Sequence, residues 1–289
     1  MEAVVRAAEE PEAFMEIRDK SVIITGASEG IGAACARLLT ERGARLVLTA
    51  RSEPKLRQVA GPGAVVVPGD LTEPETRKRV VEAALNQYGR IDILINNAGV
   101  GLAEAAWRAP LDLVRRMMEL NFFAALGMVQ LVVPHMIGQR SGMIVNVSSI
   151  AGKVVFPWIT PYCASKYALC ALSDGLRMEL KHWGVRVLTV CPGYVTTGFH
   201  EHVLAGEVPA AVRRARSFPI SAEQCAQAII RGIEKEKRTV VVPWFGWLLI
   251  GFARLFPRAL EAKFAQLYGE HQPSRPEPVA QQRSHDPQA

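Results

Sequence analysis

The sequence has no C-x-x-C pair. Its five cysteines, at 35, 163, 170, 191 and 225, are odd in number and sit mostly in apolar surroundings. That excludes a disulfide framework and fits reduced core residues of a cytosolic protein. Metal-ligand spacing is missing too: His200 and His202 form an H-x-H pair with no third ligand at a fitting distance, so no metal is expected and the pair reads as part of a lid. Basic residues outnumber acidic ones, 34 against 28, for a net charge of +6, but they are dispersed, with short clusters only at Arg77-Lys78-Arg79 and Arg213-Arg214-Ala215-Arg216. A nucleic-acid partner would call for a stripe or a recognisable module. A polyanionic small ligand or an acidic membrane surface suits the surplus instead. The first residues carry Glu2, Glu9, Glu10 and Glu12 and no continuous apolar run, which speaks against a secretory signal. No internal repeat or break in composition divides the chain.

What is present is the material of a large core: 289 residues, 49% hydrophobic and 21% charged. Apolar runs recur along the chain as SVIIT (21–25), ARLVLT (44–49), AVVVP (64–68), IDILIN (91–96), GMIVNVS (142–148), VRVLTVC (185–191) and RTVVVP (238–243), separated by helix-length segments. They are apolar at nearly every position rather than alternating, as strands covered on both faces must be. The pattern predicts an α/β protein: a Rossmann-type doubly wound parallel sheet of about seven strands, with helices on both faces, in a single domain. Residues 1–17 read as an N-terminal extension, with a short amphipathic helix over the first fifteen or so. Residues 18–245 read as a dinucleotide-binding catalytic domain, 246–268 as an apolar extension, and 269–289 as a disordered tail almost free of large apolar residues.

The first run leads into TGASEGIG and then an apolar helix ending at Gly43. Glycines at such a turn let the backbone approach a pyrophosphate, and the helix N-terminus offers unpaired N–H groups and positive partial charge. The order of strand, glycines and helix makes this a nucleotide cradle, with Gly26, Ser28, Gly30, Ile31 and Gly32 as its residues, although glycine turns also serve packing. The second run ends in Ala50 and Arg51, where an NAD-binding fold commonly places an acid for the ribose 2′-hydroxyl. A cation without that acid welcomes a 2′-phosphate, so the expected cofactor is NADP(H). Arg57 is less well placed, and Glu29 in the turn weakly opposes the assignment.

Further along, PYCASKYALC puts Tyr162 four residues before Lys166, on one face of a helix among small residues. Such pairs are commonly just solvated. Here, however, several motifs act together: TGASEGIG, GDLT (69–72), NNAG (96–99), Asn121, and Ser149 thirteen residues before Tyr162. In these motifs the chain resembles the short-chain dehydrogenases/reductases over roughly residues 18 to 245. The resemblance implies that Asp70 and Leu71 border the adenine, that Asn97 and Gly99 line the cofactor cleft, that Pro192 and Gly193 support the nicotinamide, and that Val195 and Thr197 hold its carboxamide. It also implies that Tyr162 and Lys166 contact the cofactor and that the protein is a homodimer or homotetramer. On the bare residues Asp70 could simply cap a helix, Pro192-Gly193 could be a plain turn, and Asn121 could be a helix amide bonded to backbone.

With that resemblance the Tyr162/Lys166 pair acquires a purpose. A free phenol titrates near pH ~10; a cation one turn away stabilises its phenolate, and Lys166 together with a nearby oxidised nicotinamide would bring it down towards neutrality for acid–base work. Ser149, favoured over Ser148 by spacing, is expected to hold the substrate carbonyl while Tyr162 delivers a proton to its oxygen and the nicotinamide a hydride to its carbon. Lys166 would hold the nicotinamide ribose, and Asn121 a water linking Lys166 to solvent. The expected activity is an NADP(H)-dependent interconversion of ketone or aldehyde with alcohol. The alternatives are a cofactor-binding redox sensor without turnover and a sugar-nucleotide epimerase or dehydratase on a related fold.

Specificity is expected in the lid, 198–220, where Arg213, Arg214 and Arg216 could meet an anionic substrate or form a solvated face, and in the C-terminal extension. Within TVVVPWFGWLLIGFARLFP (239–257) no charge occurs between Thr239 and Ala253. That is short of the ~20 residues needed to span a bilayer, and Pro243 interrupts it. This segment is similar to the C-terminal part of bacterial reductases of the same family and, more distantly, of the 3-ketosphinganine reductases. It points to a hydrophobic or lipid-like substrate and leaves three roles open: a pocket lid, an oligomer interface, or a peripheral membrane contact through 244–258 in an otherwise cytoplasmic protein.

Overall fold

The computed structural model describes residues 14–196, 198, 203–206, 208 and 219–270. The expected N-terminal helix, the tail beyond 270, most of the 198–220 lid, Thr197, both histidines of the H-x-H pair and Arg213, Arg214 and Arg216 lie outside the described residues.

Seven parallel strands form one sheet: β1 (Ser21–Thr25), β2 (Arg45–Ala50), β3 (Val65–Pro68), β4 (Ile93–Asn96), β5 (Gly142–Val147), β6 (Val185–Pro192) and β9 (Thr239–Val242), in the spatial order β3-β2-β1-β4-β5-β6-β9. Each falls within a residue or two of an apolar run in the sequence. Burial explains why those runs do not alternate. In β1, Val22 and Ile24 join one core with α1 (Gly30–Glu41) and α7 (Ala222–Glu234), while Ile23 between them joins another. That second core packs under α3 (Pro74–Tyr88), α5 (Ala125–Gln139) and α6 (Thr160–Glu179). Both faces of the strand are covered, so both sets of side chains must be apolar.

Register locks the sheet. Ser21 to Thr25 pair in sequence with Arg45 to Thr49, and Val22 to Ile24 with Ile93 to Ile95. The buried Asp92 side chain accepts a hydrogen bond from Ser21 N at 2.9 Å and pairs with Arg90 at 2.7 Å, tying the start of β4 to the start of β1. Because chain order runs outward from β1 through β2 to β3 and then returns to β4 on the other side, the carboxyl ends of β1 and β4 flank a crevice.

Between β4 and β5 the chain forms α4 (Leu111–Met118), a wide π-type turn (Glu119–Ala124) and α5, a continuous helical stretch from Leu111 to Gln139. By length and composition alone this stretch could cross a membrane. One side of it, including Met117, Asn121, Ala124, Met128, Val132 and Met136, is buried in the protein core. The short α2 (Glu53–Val59) follows β2. After β6 come a two-residue strand β7 (Val195–Thr196), paired with β8 (Ile220–Ser221), then α7, whose Ser221 and Gln224 form a reciprocal capping box. The apolar extension is not one helix but two, α8 (Gly246–Leu255) and α9 (Pro257–Glu270), because Pro257 lacks the N–H that would continue α8.

Small residues let α1 and α7 approach closely, with Ala34, Cys35 and Ala36 in one core with Cys225 and Ala226. Ala226→Leu is expected to overpack this contact and cost about 1–3 kcal/mol, seen as a lower urea midpoint with an unchanged slope.

Candidate active site

The crevice opens into a cavity of about 1150 Å³. It runs from the glycine turn after β1, past the ends of β4 and β5, to the C-terminal helices. Gly26 (φ +63°) and Gly30 (φ +54°) take left-handed backbone conformations that a side chain would strain. No side chain caps the first turn of α1. Its N–H groups therefore remain available beside the cavity wall, where Gly26, Ser28, Gly30 and Ile31 all lie. Gly32 does not lie on that wall. A Cβ there would come within 2.3 Å of the Gly26 carbonyl oxygen and 2.7 Å of Asn97 Nδ2, so Gly32 packs behind the turn and supports its shape.

Asn97 has a similar supporting part. It lines the cavity, and its Nδ2 donates to the carbonyl oxygens of Thr25 and Gly26, both at 3.0 Å, stitching the end of β4 to the glycine turn. Asp70, also on the wall, accepts from Thr72 N at 2.9 Å and Thr72 Oγ1 at 2.8 Å, a local turn that shapes the loop after β3 with Leu71 buried beside it. Arg51 stands exposed at the end of β2 on the cavity rim and makes no ion pair among the described residues. Arg57 is taken up by Glu53 at 2.6 Å. Glu29, the acid in the turn, is paired with Lys55 at 3.0 Å. Lys55 and Ser52 join Arg51 on the rim, two residues the sequence reading did not single out. The signal was there, since Lys55 follows Arg51 by one helical turn at the start of α2.

Deeper in, β5 ends in two serines that the structure separates by role. Ser148 Oγ donates to the Lys166 carbonyl oxygen at 3.0 Å and receives Cys170 Sγ at 3.2 Å, so it is consumed in fastening α6 to the sheet. Ser149 caps the short turn Ile150–Gly152, accepting from Ala151 N at 3.1 Å and donating to the Pro192 carbonyl oxygen at 3.4 Å, and its hydroxyl also hydrogen-bonds the Tyr162 phenol. Pro192, Gly193 and Val195 continue the same wall. Lys166, one turn along α6 from Tyr162, is 4% exposed, and its Nζ donates to the Val147 carbonyl oxygen at 3.1 Å and lies 5.8 Å from the Tyr162 ring centre. At Gly99 a Cβ would sit 3.4 Å from that Nζ and 3.1 Å from Asn121 Oδ1, so the absence of a side chain there leaves the ammonium its space.

Burial dominates the electrostatics of this cluster in the protein alone. Burial pushes the Tyr162 phenol above its ordinary range, and the Ser149 hydrogen bond only partly offsets this. The same burial pulls the Lys166 amine down to about 8. Loss of solvation outweighs the pair's mutual stabilisation because both groups lie out of water. Asn121 is bonded to backbone, as the bare residues also allowed. Its side-chain amide is occupied within the protein: Oδ1 accepts from Val100 N at 2.8 Å, and Nδ2 donates to Val100 O at 3.0 Å and Ser165 Oγ at 3.1 Å. It sits on the wide π-type turn, a local insertion of the kind found where helices serve a site, and no residue pattern announced it.

The family profile described as short chain dehydrogenase matches residues 20–207. The chain belongs to that family. It is thereby one of a family of nucleotide-binding oxidoreductases. It is 34% identical over 250 residues to human dehydrogenase/reductase SDR family member 7, covering 82% of this chain and 74% of the human protein. It is 36% identical over 231 residues to an uncharacterized oxidoreductase of Staphylococcus saprophyticus, covering 78% of this chain and 94% of that one. Among solved structures, a Burkholderia cenocepacia short chain dehydrogenase in complex with NADP superposes with a TM-score of 0.74 at 29% identity, covering 86% of this chain and 99% of that one. A Burkholderia phymatum short chain dehydrogenase/reductase in complex with NAD also gives 0.74, at 26% identity, covering 92% and 100%.

In this member of the family the far end of the cavity is built from segments outside the motifs: Phe156 and Trp158 before α6, Phe245 and Leu249 around α8, and Phe264 and Leu267 on α9. Trp158 packs on Tyr268 with ring centres 5.1 Å apart, closing this end. Asn97→Ala removes both bonds to the glycine turn, and a loss of about 1–3 kcal/mol is expected by urea unfolding, together with weaker nucleotide binding by titration.

Proposed function

We propose that the protein is an NADP(H)-dependent oxidoreductase that interconverts a ketone or aldehyde with an alcohol on a hydrophobic, lipid-like substrate. The observation that carries this reading is the hydrogen-bonded Ser149–Tyr162 hydroxyl pair with the buried Lys166 amine behind it, on the wall of a cavity continuous with the glycine turn.

The cavity fits a dinucleotide. Left-handed glycines and the uncapped start of α1 suit a pyrophosphate, while Arg51, with Ser52 and Lys55 beside it and no acid at the end of β2, suits a 2′-phosphate. Glu29, the acid that weakly opposed this assignment, is paired with Lys55, while Arg51 makes no ion pair among the described residues. The Burkholderia relatives are divided between NADP and NAD, so the preference rests on this chain's own cations. Bound there, a nicotinamide supplies the hydride. The chain's own residues do the rest. Ser149 orients the substrate oxygen, Tyr162 gives that oxygen its proton, and Lys166 supplies the positive charge that favours the phenolate left behind. A phenol pushed upward by burial stays protonated at neutral pH, which suits it to the reducing direction. Asn121 acts on this scheme by holding the Val100 backbone and Ser165 in place rather than through a free amide.

The apolar chamber made by Phe156, Trp158, Phe245, Leu249, Phe264 and Leu267 offers a substrate chain few hydrogen-bonding groups, and it supports a hydrophobic substrate.

Tyr162→Phe should lower turnover with NADPH by about 10²–10⁴-fold while cofactor affinity by titration stays near wild type; unchanged turnover would remove Tyr162 from the reaction. Lys166 is a cation below its depressed pKa of about 8 and neutral above it. The reduction rate should accordingly hold level on the acid side and fall as pH rises through that value, whereas a pH profile that stays level well beyond it would show that the charge is not needed. Replacing Arg51 by Glu should reduce kcat/KM for NADPH on the order of tenfold or more and leave NADH little affected, as read from parallel initial-rate series with the two cofactors.

A further inference from the structure

Helix α8 is apolar around its circumference except for Arg254 in its last turn, a composition normally found in a helix buried on all sides or in contact with lipid. In this fold it is half covered. Gly246, Leu249, Ile250 and Ala253 turn inward, where Ile250 packs with Val154, Cys170, Cys191 and Val241, and Leu249 reaches the cavity. The other side is open to solvent: Trp244 is 72% exposed, Leu248 68% and Leu255 74%, with Trp247, Phe252 and Phe256 also exposed. Six large apolar side chains on one short segment form a continuous exposed patch beyond the scattered single residues of an ordinary surface.

Charge indicates what covers it. Between Thr239 and Leu260 the sequence carries two ionisable groups, Arg254 and Arg258, both exposed and both cationic, and no acid. Two copies joined through this patch about a two-fold axis would bring Arg254 and Arg258 of both together, with Glu261 as the nearest acid in sequence. An anionic bilayer surface complements both features: tryptophans suit the headgroup level, leucine and phenylalanine the acyl boundary, and arginines the lipid phosphates and carboxylates. The ten residues of α8 are too few to span a membrane.

We propose that the outer face of α8, with Trp244 before it and Phe256 and Arg258 after it, docks the protein on an anionic lipid surface. Docking places α8 between bilayer and cavity. Its inner residue Leu249 and the flanking Phe245 line the chamber, as do Phe264 and Leu267 of α9, so a lipid-dissolved carbonyl compound reaches the site along these helices without crossing water. This second statement rests on the reductase reading above; the docking itself does not.

Flotation of the full-length chain with phosphatidylcholine vesicles, with and without phosphatidylserine, tests it, alongside turnover of a short water-soluble ketone with NADPH. The wild type should float with the phosphatidylserine vesicles, and less so without that lipid or at high salt. Leu248→Glu/Leu255→Glu, at positions outside the cavity, should lose vesicle binding on the order of tenfold or more while reducing the soluble ketone at the wild-type rate. Arg254→Ala/Arg258→Ala, which leaves the apolar face intact, should lose mainly the phosphatidylserine dependence. A wild type that stays at the bottom of the gradient with both vesicle types, or a patch variant that falls from dimer to monomer in solution, overturns the docking proposal. Flotation without turnover of any ketone would leave docking standing and remove the reductase reading.

Discussion

The position of every group at the site depends on one constraint: a parallel sheet buried on both faces, whose chain order turns back at β1. Strands with Val, Ile and Leu on both sides can exist only between two helical layers, and the layers here share no side chains: Val22 and Ile24 serve one, Ile23 the other. Since β2 and β4 leave β1 in opposite directions, no helix covers the carboxyl ends of β1 and β4, and the glycine turn, Asn97 and Gly99 meet there. The remaining wall follows from adjacency. β5 pairs with β4 and delivers Ser148 and Ser149, and β6 pairs with β5 and delivers Pro192 and Gly193. α6, fastened to β5 through Ser148 and Lys166, presents Tyr162 opposite Ser149.

Placing an amine and a phenol inside such a fold sets a balance of two effects. Desolvation disfavours both charged forms, raising the phenol and lowering the amine, and so drives their proton affinities apart. The amine keeps a backbone acceptor at Val147, and the phenol lies against the Ser149 hydroxyl. The groups that fix the wall, Asn97 on the glycine turn and Asn121 on the loop after β4, are themselves saturated by backbone partners.

The strands were legible because their chemistry is local: a run of β-branched residues without alternation has few other uses, and each run lies within a residue or two of its strand. Cavity-lining residues carried on strand ends and glycine turns were legible for the same reason. Gly32 was read as a cofactor contact because spacing cannot tell a glycine that faces a ligand from one that a neighbouring carbonyl oxygen excludes at 2.3 Å. For Asn121 the sequence left two readings open, and the partner that occupies its amide, the backbone at Val100, is distant in sequence. The direction of the Tyr162 shift depends on how completely the folded chain covers the ring, and the Tyr-Lys spacing carries no such information. The wide turn at Glu119–Ala124 and the partition of α8 into an inward and an outward apolar face arise from tertiary packing alone.

The chamber has aromatic and aliphatic walls contributed by the loop before α6 and by α8 and α9, so the length of apolar chain it accepts is the central claim about this protein. Initial rates with NADPH across a series of ketones graded in chain length, followed by nicotinamide absorbance, measure it directly. The account predicts that kcat/KM climbs with each added methylene until the chamber is filled, by up to about fourfold per group at ~0.8 kcal/mol. Rates that are independent of chain length, or that fall from the shortest ketone onward, would contradict it.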